Sequence, residues 1–204
     1  GYAIPVETSA TVEYSGDALI TGIQTTAVLG YTGAAEKPGY HLVGNSFTAA
    51  LDANSVNGTN WTEDIWVRND GNFETFNVAG GTGTLTDDVI PPLQGFWVRV
   101  NSGDGDITID PDNLVHNANT IYKETRTNEI RFEISNGTKT DKSIIYLHQN
   151  AGLDYDNFDS EKMFASDESY PQVYTMSNNK AVAINGLGME EEATIAVGFK
   201  TAVA

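Results

Sequence analysis

Carboxylates at loop spacing are the first residues in this sequence with chemistry of their own. Asp154-Tyr155-Asp156-Asn157-Phe158-Asp159 places three carboxylates and one amide within six positions, and calcium collects about six to eight oxygen donors of this kind. Asp154, Asp156 and Asp159 are therefore the candidate calcium ligands, and calcium is the only cofactor the sequence suggests. An ion bound only by the folded chain raises its melting midpoint, so this reading requires a chelator to lower it. Asp159 also fits another role, as a cap or as an acceptor for nearby backbone amides. A second acidic stretch, Asp104-Gly105-Asp106 and then Asp110-Pro111-Asp112, lacks the EF-hand pattern and reads as solvated turn.

Nothing assembles a catalyst. His41, His116 and His148 stand singly, none at ligand spacing to another histidine, and no serine sits in a Gly-x-Ser-x-Gly elbow. Carboxylate pairs are abundant in so acidic a chain and do not define a glycosidase without geometry. The expectation is a non-enzymatic protein. Aromatic side chains offer the other route to a ligand: Trp61, Tyr31, Tyr155 and Tyr170, with Trp66, could form a platform on which sugar rings of a polysaccharide stack. Equally, Trp66 within Ile65-Trp66-Val67 reads as core and Trp61 as a loop residue covering it.

The elements that position these residues follow from composition and pattern. The 204 residues include 28 acidic and 11 basic side chains, a formal charge of −17, and no cysteine. A chain of this size closes a core without disulfides, and its acidic surface disfavours nucleic acid, whose binding requires a basic patch. Lys123, Arg126 and Arg131 are scattered among Glu124 and Glu129. No apolar run of about 18 residues is present to span a bilayer. The opening Gly1-Tyr2-Ala3-Ile4-Pro5-Val6 lacks the basic region of a signal peptide.

Gly, Asn, Thr and Asp punctuate short β-branched or aromatic stretches, which predicts many short strands joined by turns. Strands are expected at 11–14, 24–29, 41–43, 65–68, 73–78, 95–100, 107–109, 130–134, 143–148, 172–176, 181–184 and 194–199. Ile130-Arg131-Phe132-Glu133-Ile134 alternates as a half-solvated antiparallel strand must, and Ile195-Ala196-Val197-Gly198-Phe199 repeats the pattern. Helical periodicity is almost absent; one short turn is expected near Asp159–Phe164, capped by Asp159 or Ser160. Asn57-Gly58-Thr59, Asn60-Trp61-Thr62 and Asn136-Gly137-Thr138 fit the glycosylation acceptor pattern but read as turns. The fold class is all-β, an antiparallel β-sandwich, either one large or two in tandem. A composition shift puts the boundary near residues 112–122, dividing the chain into 1–115 and 116–204.

Two glycine-punctuated phrases carry a resemblance, Gly39-Tyr40-His41-Leu42-Val43-Gly44-Asn45-Ser46-Phe47 and Ile90-Pro91-Pro92-Leu93-Gln94-Gly95-Phe96-Trp97-Val98. Preceded by Gly1-Tyr2-Ala3-Ile4, Val12-Glu13-Tyr14-Ser15-Gly16 and Thr21-Gly22, they are followed by Phe158-Asp159-Ser160-Glu161-Lys162, Pro171-Gln172-Val173-Tyr174 and Ala183-Ile184-Asn185-Gly186-Leu187. In this order they resemble a β-rich region of large secreted Bacteroidetes proteins, upstream of the C-terminal sorting domain read by the type IX secretion system. That family usually has proline where this chain has Ser46. The resemblance implies export to the surface or medium and the secretion machinery as a transient partner. It also implies a chain that is a fragment of something larger, and it brings no catalytic residue.

Within those phrases Gly44-Asn45 is expected to turn the chain at positive φ. Pro91-Pro92, unable to donate ladder bonds, should end a loop before Gln94 and Gly95 open a buried strand. Gln94 should bond loop backbone, and Phe96 and Trp97 should face opposite sides of the sheet. The function expected is structural: a segment that spaces or presents neighbouring domains, or copies of itself, in an adhesin, stalk or extracellular fibre. The competing reading is a carbohydrate-binding module of a secreted hydrolase.

Overall fold

A computed structural model describes residues 22–33, 37–101, 103–115, 128–189 and 192–201. The expected strand at 11–14, the Gly1-Tyr2-Ala3-Ile4 and Val12–Gly16 phrases, His116, and most of the proposed 112–122 boundary lie outside these residues. In chain order the strands are β1 (Gln24–Thr25), β2 (Tyr40–Gly44), β3 (Ala50–Asp52), β4 (Asn57–Thr59), β5 (Asp64–Asn69), β6 (Asn72–Asn77), β7 (Thr82–Gly83), β8 (Val89–Ile90) and β9 (Gly95–Arg99). They continue with β10 (Asp106–Ile109), β11 (Leu114–Val115), β12 (Glu129–Ser135), β13 (Thr140–Leu147), β14 (Ser160–Glu161), β15 (Gln172–Ser177), β16 (Lys180–Leu187) and β17 (Val197–Lys200). Helix among the described residues is confined to three 3-10 turns of three residues each.

The protein is all-β. Five strands form a sheet in the order β2-β9-β5-β6-β7, and the strands of two small three-stranded sheets, β1-β10-β4 and β11-β3-β8, are interleaved with it in sequence. A further sheet runs β12-β13-β16-β15-β17, with β14 paired to β16. Among the described residues pairing is antiparallel except at one seam, where β13 and β16 run parallel, Ile144 opposite Ile184 and Leu147 opposite Leu187. The long connection between them, which carries β14 and β15, makes that direction possible.

Alternation on β5 explains why the five-stranded sheet is buried on both faces. Ile65 and Val67 point into a large apolar cluster with Val43, Phe47, Leu51, Phe76, Phe96, Val98 and Ile107, each at most 6% exposed. Asp64 and Trp66 point the other way, Trp66 lying in register with both Thr75 and Trp97. The Trp66 ring meets Tyr40 at 5.3 Å and its Nε1 donates to the Glu161 carbonyl at 3.0 Å. A fully buried tryptophan contributes several kcal/mol, about 3–5 by truncation to alanine, and here its indole joins the two halves of the chain. A smaller cluster of Ile144, Tyr146, Ala183 and Ile184, with Phe158 against it, lies within the C-terminal sheet.

The expected joint between the signature phrases forms, by a different device. Gly44 pairs with Gly95, and the Asn45 N–H donates to the Gln94 carbonyl at 3.0 Å. The buried Asn45 amide donates to the carbonyls of Ala49 (2.9 Å), Pro91 (3.0 Å) and Ile90 (3.3 Å), while its Oδ1 accepts from Phe47 N at 3.1 Å. Neither Gly44 nor Asn45 adopts positive φ; that conformation falls on Leu93, at φ 60°. The Gln94 N–H closes the turn on the Pro91 carbonyl at 3.2 Å, with Pro92 and Leu93 between them. Proline followed by a left-handed residue is the arrangement of a type II turn. The Gln94 side chain reaches only the neighbouring Gly95 carbonyl, at 2.8 Å. Phe96 is buried in the apolar cluster and Trp97 lies on the opposite face, as expected.

Two expectations fail at the edges of the C-terminal sheet. Residues 159–164 form no helical turn; Ser160-Glu161 is the short strand β14. Ile130 on β12 and Phe199 on β17 are 60% and 69% exposed, because both strands are edges with a neighbour on one side only. Alternation creates an apolar face, but it does not by itself supply the layer that covers it.

Asn45→Ala removes three donated bonds and one accepted bond from a buried site. It is expected to cost about 2–4 kcal/mol, read as a fall in the urea midpoint. Asn45→Asp, similar in shape but unable to donate, should be at least as damaging; a mild Asp variant would show that packing and not bonding holds the joint.

Candidate functional site

A buried ion pair lies where the five-stranded and C-terminal sheets meet. Asp141, near the start of β13, is 3% exposed and Lys162, just after β14, is 4% exposed. The Lys162 ammonium sits 2.7 Å from both Asp141 oxygens. Oδ1 also accepts from Asn72 Nδ2 on β6 at 2.9 Å, and Oδ2 from the Val173 N–H on β15 at 2.7 Å. The Gln172 amide donates to Asn72 Oδ1 at 3.3 Å. A charge buried this deeply is tolerable only when paired and fully bonded, and burial pushes the Lys162 amine below its ordinary value despite the carboxylate beside it.

A second centre lies further along the same seam. Asp64 Oδ1 accepts from Ser160 Oγ at 2.5 Å and from Asn77 Nδ2 at 3.1 Å. The Asn77 amide also reaches the Asn157 carbonyl at 2.9 Å. Burial raises the Asp64 carboxyl to about 7, against the lowering effect of these bonds. Arg99 and Glu161 form an ion pair of 3.2 Å at the partly exposed margin.

A groove of about 400 Å³ opens onto the first centre. Its walls are the β5–β6 hairpin, with Asn69, Asp70 and Glu74, and the β12–β13 hairpin, with Glu133, Lys139 and Lys142; Asn72, Asp141 and Tyr170 are its buried lining residues. The walls of the groove carry charges of both signs.

The structure does not assemble the expected calcium site. Asp159, 1% exposed, accepts from the Asp156 N–H (3.0 Å), Ser177 Oγ (3.2 Å) and the Gly186 N–H (3.2 Å). Asp156 accepts from the N–H groups of Gly152 and Phe158, each at 2.8 Å. Asp154 is exposed. These carboxylates hold the loop through its backbone, and among the described residues no group of three carboxylate, imidazole or thiol side chains is placed to hold a metal ion. Burial raises the Asp159 carboxyl to about 6, against the lowering effect of the bonds it accepts.

The aromatic platform does not form either. Trp61 is 8% exposed within the large apolar cluster, and Tyr31 packs on that cluster from the side. Tyr170, 6% exposed, donates its hydroxyl to the Asp70 carbonyl and lies under Lys139, 4.1 Å from its ring centroid. Tyr155 is half-buried beneath Lys180 at 3.6 Å. Of the histidines, His41 bonds the Gly30 carbonyl at 2.9 Å and His148 stacks on Phe158 at 4.4 Å, so each has a local structural role.

The residues that matter most, Asp64, Asn72, Asp141 and Lys162, were not singled out by spacing. Asp64 precedes an apolar run, and Asp141-Lys142 looks like the polar mouth of a hairpin. One signal was present: Lys162 closes the Phe158-Asp159-Ser160-Glu161-Lys162 phrase. The chain matches no protein-family model, no curated protein and no solved structure. Among the described residues no helix is long and apolar enough to cross a membrane.

Two outcomes are expected. Because the folded-state values of Asp64 and Asp159 lie above those of the unfolded chain, the stabilisation linked to them is complete below about pH 4 and is lost as pH rises through about 6 to 7. Asp64→Asn keeps an oxygen to accept from Ser160 and Asn77, so it should flatten the decline in melting midpoint between pH 5 and pH 8; an unchanged slope would remove Asp64 as its cause. Excess EDTA should leave the midpoint unmoved, whereas a drop of several degrees would mean that an ion holds the 154–159 loop.

Proposed function

We propose that this chain is a non-catalytic, load-bearing β segment of a large exported surface protein, such as an adhesin, stalk or extracellular fibre subunit. The observation that carries this reading is the seam. Three deeply buried ionisable side chains, Asp64, Asp141 and Lys162, which in an enzyme would converge on a cleft, are consumed in tying one sheet to another. Such a seam resists separation of the two sheets, and the −17 surface keeps long chains apart in solution.

Secretion or surface localisation, and the type IX machinery as a partner in export, rest on the resemblance of the Gly44-Asn45 and Pro91–Gly95 phrases. The division into 1–115 and 116–204 would make the seam an interface between two tandem sandwiches. Neighbouring domains, or copies of the same chain, are the partners that suit a spacer. A carbohydrate-binding module would need flat rings facing water, and Trp61 and Tyr170 are buried.

Pulling on the chain in a tandem array by force spectroscopy tests the proposal. Each copy should give one unfolding peak, with both sheet systems released together. Early, low-force release of residues 128–201 would contradict a load-bearing seam, and retention of the chain on insoluble polysaccharide would favour the carbohydrate reading.

A further inference from the structure

The Asp141 centre holds a primary amine, a carboxamide and a carboxylate in a reactive order. Lys162 Nζ and Asn72 Nδ2 both donate to the same oxygen, Asp141 Oδ1, at 2.7 and 2.9 Å. The other side of the carboxamide is held as well, since Gln172 Nε2 donates to Asn72 Oδ1 at 3.3 Å. None of these four side chains belongs to a residue more than 8% exposed. We propose that the chain joins Lys162 to Asn72 through a side-chain amide bond, with Asp141 carrying the protons.

The step balances without any co-reactant. Proton transfer within the Lys162–Asp141 pair leaves a neutral amine and a carboxylic acid. The amine attacks Cγ of Asn72; the new C–N bond forms as the carbonyl electron pair moves onto Oδ1, where the Gln172 N–H stabilises the developing charge. Asp141 gives its proton to Nδ2 and takes one from the attacking nitrogen. The Cγ–Nδ2 bond breaks, the carbonyl reforms, and ammonia leaves, taking up the proton that Asp141 then holds. A lysine ammonium and a carboxamide become a secondary amide and an ammonium ion, and nothing is oxidised or reduced.

Three features of the site favour this chemistry. Fixing the reacting groups on one carboxylate removes the entropy of encounter, which is worth up to about 7–11 kcal/mol in well-oriented cases. Burial, which pushes the Lys162 amine below its ordinary value, makes its lone pair more accessible. Ammonia has an exit, because Asn72 and Asp141 line the groove between the two hairpins. The bond would connect β6 covalently to the segment after β14 and turn the seam from a set of hydrogen bonds into a closed ring of chain. It needs neither export nor a mechanical role to form, so its test stands apart from the proposed function.

Mass spectrometry of the intact, freshly folded 204-residue chain reads it directly. The mass should fall short of the sequence value by about 17 Da, one ammonia. Trypsin should fail to cut after Lys162, and fragmentation should show the peptide containing Asn72 attached to the peptide containing Lys162. Asp141→Ala and Lys162→Met should each restore the full sequence mass, whether or not they fold as well. A wild-type chain of full mass that trypsin cuts after Lys162 would overturn the proposal. So would a loss of about 17 Da mapped to Asn57-Gly58, Asn136-Gly137 or Asn185-Gly186, where backbone cyclisation also releases ammonia. A loss of about 18 Da, one water, linking Lys162 to Asp141 would overturn the assignment of Asn72 as acceptor. Persistence of the link in Asp141→Ala would overturn the role of the carboxylate.

Discussion

The carboxylate of Asp141 is the constraint on which the arrangement of the two sheet systems depends. It gathers a lysine from the connection after β14, an amide from β6 and a backbone N–H from β15. A bare carboxylate in that position would cost several kcal/mol in lost hydration, so the sheets must approach in the one geometry that supplies all of its partners. Apolar surfaces can slide over one another with little penalty. A buried charge whose partners come from three separate strands or their flanks cannot, and it therefore fixes the register of the seam as well as closing it.

The same logic governs the second centre, with a different electrostatic outcome. Asp141 has a cation beside it. Asp64 has only hydroxyl and amide donors within bonding distance, and its carboxyl rises to about 7. One seam thus contains an ionic lock and a carboxyl poised near neutrality. Trp66, between them on the sheet face, contributes apolar area and one directed bond to the Glu161 carbonyl. The five-stranded sheet consequently has one greasy face and one that is aromatic and polar, both dry.

Much of the fold was legible because strands such as 65–68, 73–78 and 172–176 combine β-branched or aromatic residues with clear turn signals on either side. The strands of two or three residues, β3, β4, β7, β8, β11 and β14, were not, since a segment that short has no period. At 159–164 a good capping residue suggested a turn of helix, and tertiary pairing with β16 prevailed. The Asn45 joint was recognisable by residue type, although its mechanism is side-chain bonding and the positive φ falls on Leu93. The buried charges were hidden for a general reason. A lone Asp or Lys in an acidic sequence reads as solvated, and only the fold shows that Asp64, Asp141 and Lys162 have left water. The calcium and platform readings rest on spacing, which does not reveal that Asp159 is engaged by backbone amides or that Trp61 and Tyr170 are covered.

Native-state hydrogen exchange tests most directly whether the seam holds the two sheet systems as one unit. The Val173 amide, bonded to Asp141, and the ladder amides of β5, β6 and β9 should exchange only through global opening, with the same free energy and the same dependence on denaturant. If the amides of β13, β15 and β16 exchanged through a separate opening of lower free energy while β5, β6 and β9 stayed protected, the seam would not be what binds the structure together.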